Sequence, residues 1–215
     1  MAQIFPKWTN KLPPVVAAGL LLALLAVVGF FWYFGSPMYT DVGYQPVQPV
    51  PYSHKLHAGD MGMDCRYCHT AVERSTVAMV PPTQTCMNCH TLVLPESELL
   101  KPVMKSWSEG TPIPWVKIHK VPDYAYFDHS AHVRVGVGCA SCHGRIDQME
   151  VVQQDQPLSM GWCLECHRNP DMSLRPIDQI TNMSWTPPVN QLELAAKFKL
   201  ERNINPPTNC SGCHR

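Results

Sequence analysis

Ten cysteines fall in five pairs, each pair separated by two residues and each followed directly by histidine. The five sites are Cys65-Arg-Tyr-Cys68-His69, Cys86-Met-Asn-Cys89-His90, Cys139-Ala-Ser-Cys142-His143, Cys163-Leu-Glu-Cys166-His167 and Cys210-Ser-Gly-Cys213-His214. No cysteine is left over. Disulfides, a zinc knuckle or an iron–sulfur cluster would each need thiols that these pairs already take up. Cys-x-x-Cys-His is instead the attachment signature of c-type haem. The two thiols add across the vinyl groups of one porphyrin edge, and the adjacent histidine reaches beneath the ring to supply the proximal iron ligand. One such pentapeptide is a weak signal, whereas five that use every cysteine predict five covalent haems, with His69, His90, His143, His167 and His214 as proximal ligands.

The other five histidines, His54, His57, His119, His129 and His132, equal the predicted haems in number. This suggests an imidazole on the distal side of most irons. An iron with two protein ligands has no open position for a substrate, so such haems carry electrons and perform no further chemistry.

Repetition sharpens the ligand set. Tyr52-Ser-His54-Lys-Leu-His57 stands eight residues before Cys65, and Phe127-Asp-His129-Ser-Ala-His132 stands seven before Cys139. Each is followed by two haem sites, so the chain reads as two dihaem modules plus one extra site at its end. Histidines three apart on a helical turn point to nearly the same side and can serve neighbouring irons. The expected pairs are His54 with His69, His57 with His90, His129 with His143, and His132 with His167, with crossing between modules left open. The fifth site lacks this preceding pattern, and Pro206-Pro207-Thr208-Asn209 before it echoes Pro81-Pro82-Thr83-Gln84-Thr85 before Cys86. Its sixth ligand is expected from afar, with His119 the histidine left over. Met183, Met160 and Met149 compete, although methionine more often fills a gap in the packing than binds iron.

Residues 15–34 run for twenty positions without a charge and end in Phe-Trp-Tyr-Phe. At about 1.5 Å per residue this crosses a hydrocarbon layer of about 30 Å. A cleaved signal peptide competes, but its apolar core is typically about 7–15 residues long and ends at small residues. Lys7 and Lys11 precede the run and the next positive residue is Lys55, so the N-terminus is expected in the cytoplasm and the haem domain on the periplasmic side of a bacterial inner membrane. Lys plus Arg equal Asp plus Glu at 17 each, which gives no support to nucleic-acid binding.

About 180 residues for five haems is roughly 36 per haem, too little for an ordinary side-chain core, so porphyrins are expected to form the core. Proline is abundant at 21 residues and long strands are not evident. The expected fold is mainly short α-helices and irregular loops around a five-haem core, behind one N-terminal transmembrane helix. The best helical patterns lie at 96–107 and 191–202. The expected divisions are a cytoplasmic N-terminus over 1–14, a membrane helix over 15–35, a Pro-rich tether over 36–51, a first dihaem module over 52–111, a linker over 112–126, a second module over 127–180, and a C-terminal segment with the fifth haem over 181–215.

The anchor together with Tyr52-Ser-His54-Lys-Leu-His57-Ala-Gly-Asp-Met-Gly-Met-Asp-Cys65, Pro114-Trp115-Val-Lys-Ile-His119-Lys-Val-Pro and Pro157-Leu-Ser-Met160-Gly-Trp162-Cys163 resembles the pentahaem subunit of alternative complex III, a quinol-oxidising respiratory assembly. The H-x-x-H before C-x-x-C-H also resembles the wider cytochrome c3 and c7 class. The first resemblance implies an electron-carrier subunit that is not an enzyme by itself. It implies as partners an iron–sulfur subunit, polytopic quinol-binding membrane subunits, a monohaem cytochrome c and, further on, a terminal oxidase. Two rivals are an autonomous membrane-anchored quinol dehydrogenase feeding periplasmic reductases, which usually places its first haem site closer behind the helix, and a multihaem reductase, which would need an iron lacking a distal ligand.

Overall fold

The computed structural model describes residues 4–214, so the first three residues of the expected cytoplasmic segment and Arg215 lie outside the described residues. The chain divides after Asp41 into two units.

In the first unit a 3-10 turn, Lys7–Lys11, leads into helix α1, Leu12–Phe34, 23 residues long. It starts three residues ahead of the apolar run because Pro13 and Pro14 sit in the first turn, where no backbone N–H donor is missed. At about 1.5 Å per residue the helix is about 35 Å long. It buries no side chain, is apolar all round, and is long and apolar enough to cross a membrane. Gly35 ends it by returning its N–H to Phe31 O at 3.0 Å. Tyr39, from the short helix α2 (Pro37–Thr40), lies edge-on to Phe34 at 4.7 Å.

The second unit begins sooner than the expected tether ends. Gly43 N–H donates to Gln154 O at 2.8 Å, Gln154 N–H returns to Tyr44 O, and Gln48 exchanges two bonds with the backbone of Val116. Val50 is buried against Met87 and Val103. Residues 43–50 are therefore part of the folded domain, and the Pro-rich composition there reflects extended backbone pinned by side-chain amides.

Among the described residues the domain has no strands, only isolated bridges joining Ala125 to His214 and Val137 to Leu174. Its helices are α3 (Cys65–Cys68), α4 (Thr83–His90), α5 (Lys101–Glu109), α6 (His129–Arg134), α7 (Ala140–His143), α8 (Met160–Arg168), α9 (Gln191–Glu201) and α10 (Cys210–Cys213). Helix α5 starts later than its pattern suggests, because Pro102 belongs in a first turn and Glu98–Leu100 winds as a 3-10 turn ahead of it. Gly110, at φ 64°, stops it.

Two apolar clusters anchor the domain. Val50, Met87 and Val103 hold one, and Leu174, Ala195 and Phe198 hold the other. Arg202 fastens α9 by stacking over Phe198 at 3.8 Å and donating to Val135 O and Arg175 O, each at 3.0 Å. The clusters are small for a domain of this length, as a fold that reserves its centre for another apolar body requires.

Candidate haem sites

All five Cys-x-x-Cys-His sequences are helical turns, found in α3, α4, α7, α8 and α10. A helical turn puts residues three apart on the same side, so each pair of thiols faces one way. The turn continues into the histidine, since the N–H of His69, His143 and His214 bonds back to Cys65, Cys139 and Cys210 O at 2.8, 3.0 and 2.8 Å. All ten thiols are free of disulfides. Among the described residues no group of three His, Cys, Asp or Glu side chains converges as a bare metal ion would require.

Seven of the imidazoles are held in one way. Nδ1 of His57, His69, His90, His129, His132, His167 and His214 lies 2.6–3.1 Å from the backbone carbonyl of Ser53, Met79, Val93, Thr76, Asp128, Pro207 and Tyr124 respectively. A carbonyl only accepts, so each Nδ1 carries the proton and each Nε2 keeps its lone pair. That is the tautomer needed to bind a metal through Nε2, and the second bond also fixes the ring's orientation.

The rings pair at a telling distance. Centroids of His57 and His90 are 6.3 Å apart, of His132 and His167 6.1 Å, and of His129 and His143 6.4 Å. Two imidazoles bound through Nε2 to opposite sides of one metal, at about 2 Å each, put their centroids roughly 6 Å apart. For the first site the arrangement differs. His69 is the foremost charged neighbour of His54, yet no ring contact joins the two among the described residues. His119 lies 4.3 Å from His143. The groups brought to His214 are the ring of Tyr124 at 5.7 Å and its carbonyl.

The thiols trace how the sites adjoin. Cys139 is raised first by the neighbouring thiol of Cys65 and then by burial. Cys68 is raised by burial and then by Cys86. Burial pushes Cys142 up to about 12, with Cys166 and Cys163 adding to it, and Cys163 is raised by burial and then by Cys213. Numbering the sites along the chain, adjacency runs second, first, third, fourth, fifth.

Burial also keeps His54 and His143 neutral. It lowers His54 to about 4, with help from His69, His57 and His119, and lowers His143 to about 3, with help from His119, His129, His69 and His54. A neutral ring is the form that ligates.

Of the candidate methionines, Met183 is buried and lines a polar groove with Asp64 and Thr181, Met160 opens α8 at 66% exposure, and Met149 is half-buried with its carbonyl accepting from Lys55 N–H at 3.0 Å.

Tyr52 and Phe127 were not among the residues singled out from sequence. Tyr52 stacks on His57 at 4.4 Å and meets His54 edge-on at 4.8 Å, and Phe127 does the same to His132 at 4.6 Å and His129 at 4.7 Å. The signal was available, since an aromatic residue stands two positions before the first histidine in both repeats.

The paired thiols, the bare Nε2 atoms, the ring spacing and the modest side-chain core all fit haem. Residues 125–215 match the family model described as cytochrome c7 and related cytochrome c. The menaquinone reductase multihaem cytochrome c subunit of Nitratidesulfovibrio vulgaris is 29% identical over 169 residues, covering 68% of this chain and 78% of the relative. Both likenesses are to cytochromes c.

Proposed function

We propose that the chain is the electron-carrier subunit of a membrane-bound quinol-oxidising complex of the alternative complex III kind, relaying single electrons through five c-type haems. The reading rests above all on three imidazole pairs spaced 6.1–6.4 Å apart. Haem supplies a one-electron iron couple. The protein's part is to close each iron to substrate and to hold each site against the next.

Cys65, Cys68, Cys86, Cys89, Cys139, Cys142, Cys163, Cys166, Cys210 and Cys213 carry the haems, and His69, His90, His143, His167 and His214 bind the irons from the proximal side. His57, His129 and His132 face His90, His143 and His167, and His54 serves the first site. The second site and the fifth are the ends of the relay. At its middle the Cys65–Cys139 contact joins the two modules. Electrons enter from an iron–sulfur subunit fed by polytopic quinol-binding subunits and leave toward a monohaem cytochrome c or terminal oxidase. Helix α1 anchors the chain with Lys7 and Lys11 on the cytoplasmic side and the haem domain on the periplasmic side.

The relative's name favours a second reading, in which the same relay delivers electrons to a quinone. A chain of closed irons conducts either way, so the partners set the direction. Gentle isolation from membranes, with the co-purifying subunits identified and the haems exposed to quinol or to quinone plus a reduced cytochrome, separates the two. Arrival with iron–sulfur and quinol-binding subunits and haem reduction by quinol supports the first. An isolated chain reduced by quinol unaided would move quinol chemistry into this subunit and overturn both.

A further inference from the structure

His143 departs from the pattern of the other proximal histidines. His69, His90, His167 and His214 each donate Nδ1–H to a backbone carbonyl, whereas the partner of His143 Nδ1 is Nε2 of His119, 3.3 Å away. The two rings meet edge to face at 4.3 Å. His143 already has a second ring at axial spacing, His129, at 6.4 Å and only 9° from parallel. His119 thus lies beside the third site, on the nitrogen of His143 that does not face iron.

We propose that His119 is not an iron ligand but the positioning residue of the third haem site, accepting the Nδ1–H bond of His143 through its own Nε2. The proposal rests on the reading that His143 binds the third iron. The chemistry follows from the tautomers. For His143 to offer Nε2 to iron its proton must sit on Nδ1, so His143 is the donor and the lone pair of His119 Nε2 is spent on accepting. An imidazole nitrogen is a stronger base than a peptide carbonyl, so His143 is drawn further toward imidazolate than any other proximal ring here and becomes the more electron-rich ligand. A more electron-rich ligand favours ferric over ferrous iron and lowers the potential of that one haem. In the order second, first, third, fourth, fifth this is the central site, so His119 tunes the middle of the relay. Four distal imidazoles then remain for five sites, and the sixth ligand of the fifth site is not His119.

The test uses the full-length, haem-loaded protein in its complex, carrying His119→Leu, which can neither accept nor ligate, or His119→Gln, whose amide oxygen accepts but which gives iron no imidazole. Intact mass first checks that the third site is loaded in the unaltered protein. A missing haem there would undo the functional reading and this proposal with it, whereas full loading leaves the midpoints to decide this proposal alone. With loading established, electron paramagnetic resonance counts low-spin and high-spin irons and a reductive titration reads the midpoints. The expected result is an unchanged low-spin count in both variants, one midpoint shifted upward in His119→Leu, and that midpoint largely restored in His119→Gln. A new high-spin iron in either variant, or midpoints that do not move, overturns the proposal. If His119→Leu fails to accumulate, His119→Gln decides alone: a full low-spin count supports positioning, and one lost low-spin iron supports ligation.

Discussion

The two His-x-x-His segments are near copies locally and unlike in their surroundings. In both, an aromatic ring stacks on the second histidine and meets the first edge-on, and the second histidine bonds back to the carbonyl four residues earlier, His57 to Ser53 and His132 to Asp128. The first histidines differ. His129 is held by Thr76 O of the first module, while Nδ1 of His54 is buried with no hydrogen-bond partner. The backbone differs too. His129 opens an α-helix, whereas His54 caps a wide turn, Lys55–Asp60, in which Met61 N–H reaches back five residues to Leu56 O. Local sequence therefore sets the ring on the second histidine, and contact from another segment holds the first in the second repeat alone.

The largest test of this likeness is removal of the second histidine. His57→Ala and His132→Ala should each turn one low-spin haem high-spin, by equal amounts, in electron paramagnetic resonance. Unequal losses would mean that the repeats do not share a role.

Truncating the stacking ring comes next. Tyr52→Ala and Phe127→Ala should each cost about 2 kcal/mol in thermal or denaturant unfolding, below the full-core value because both rings are half-buried.

Acid should loosen both modules. The folded values of His54 and His143 lie below the ordinary 6.5, so the stability that each contributes is present above pH 6.5 and is lost as pH falls through about 4 and about 3 respectively. An acid titration followed by absorbance should leave both sites intact at pH 6.5 and perturb both by about pH 3. Loss of either site above pH 6.5 would contradict the burial that we describe.

The smallest effect concerns the caps. Asp128 accepts from Ser130 and Ala131 N–H, and Ser53, at the same position of the first repeat, accepts from Leu56 N–H. Asp128→Ala should cost about 1 kcal/mol and Ser53→Ala about half as much in the same unfolding assay.

Sequence carried the parts of this architecture that are local. The apolar run marked α1, the spacing of apolar residues marked α9 to within a residue, and the reading that long strands are not evident matched the lack of strands among the described residues. Three of the bonds that orient the imidazoles were not legible, because they join residues far apart in sequence. Thr76 holds His129, Pro207 holds His167 and Tyr124 holds His214, each through a carbonyl that every residue type possesses. The side-chain identity of such a partner carries no signal. The folding of residues 43–50 onto the domain was hidden likewise, since glutamines bonding to backbone leave no periodicity.

Intact-mass spectrometry of the chain isolated from membranes tests most directly the claim that every cysteine pair carries a haem. The account predicts a single species with five haem additions and no free thiol. Four or fewer additions, with a reactive cysteine pair remaining, would contradict it.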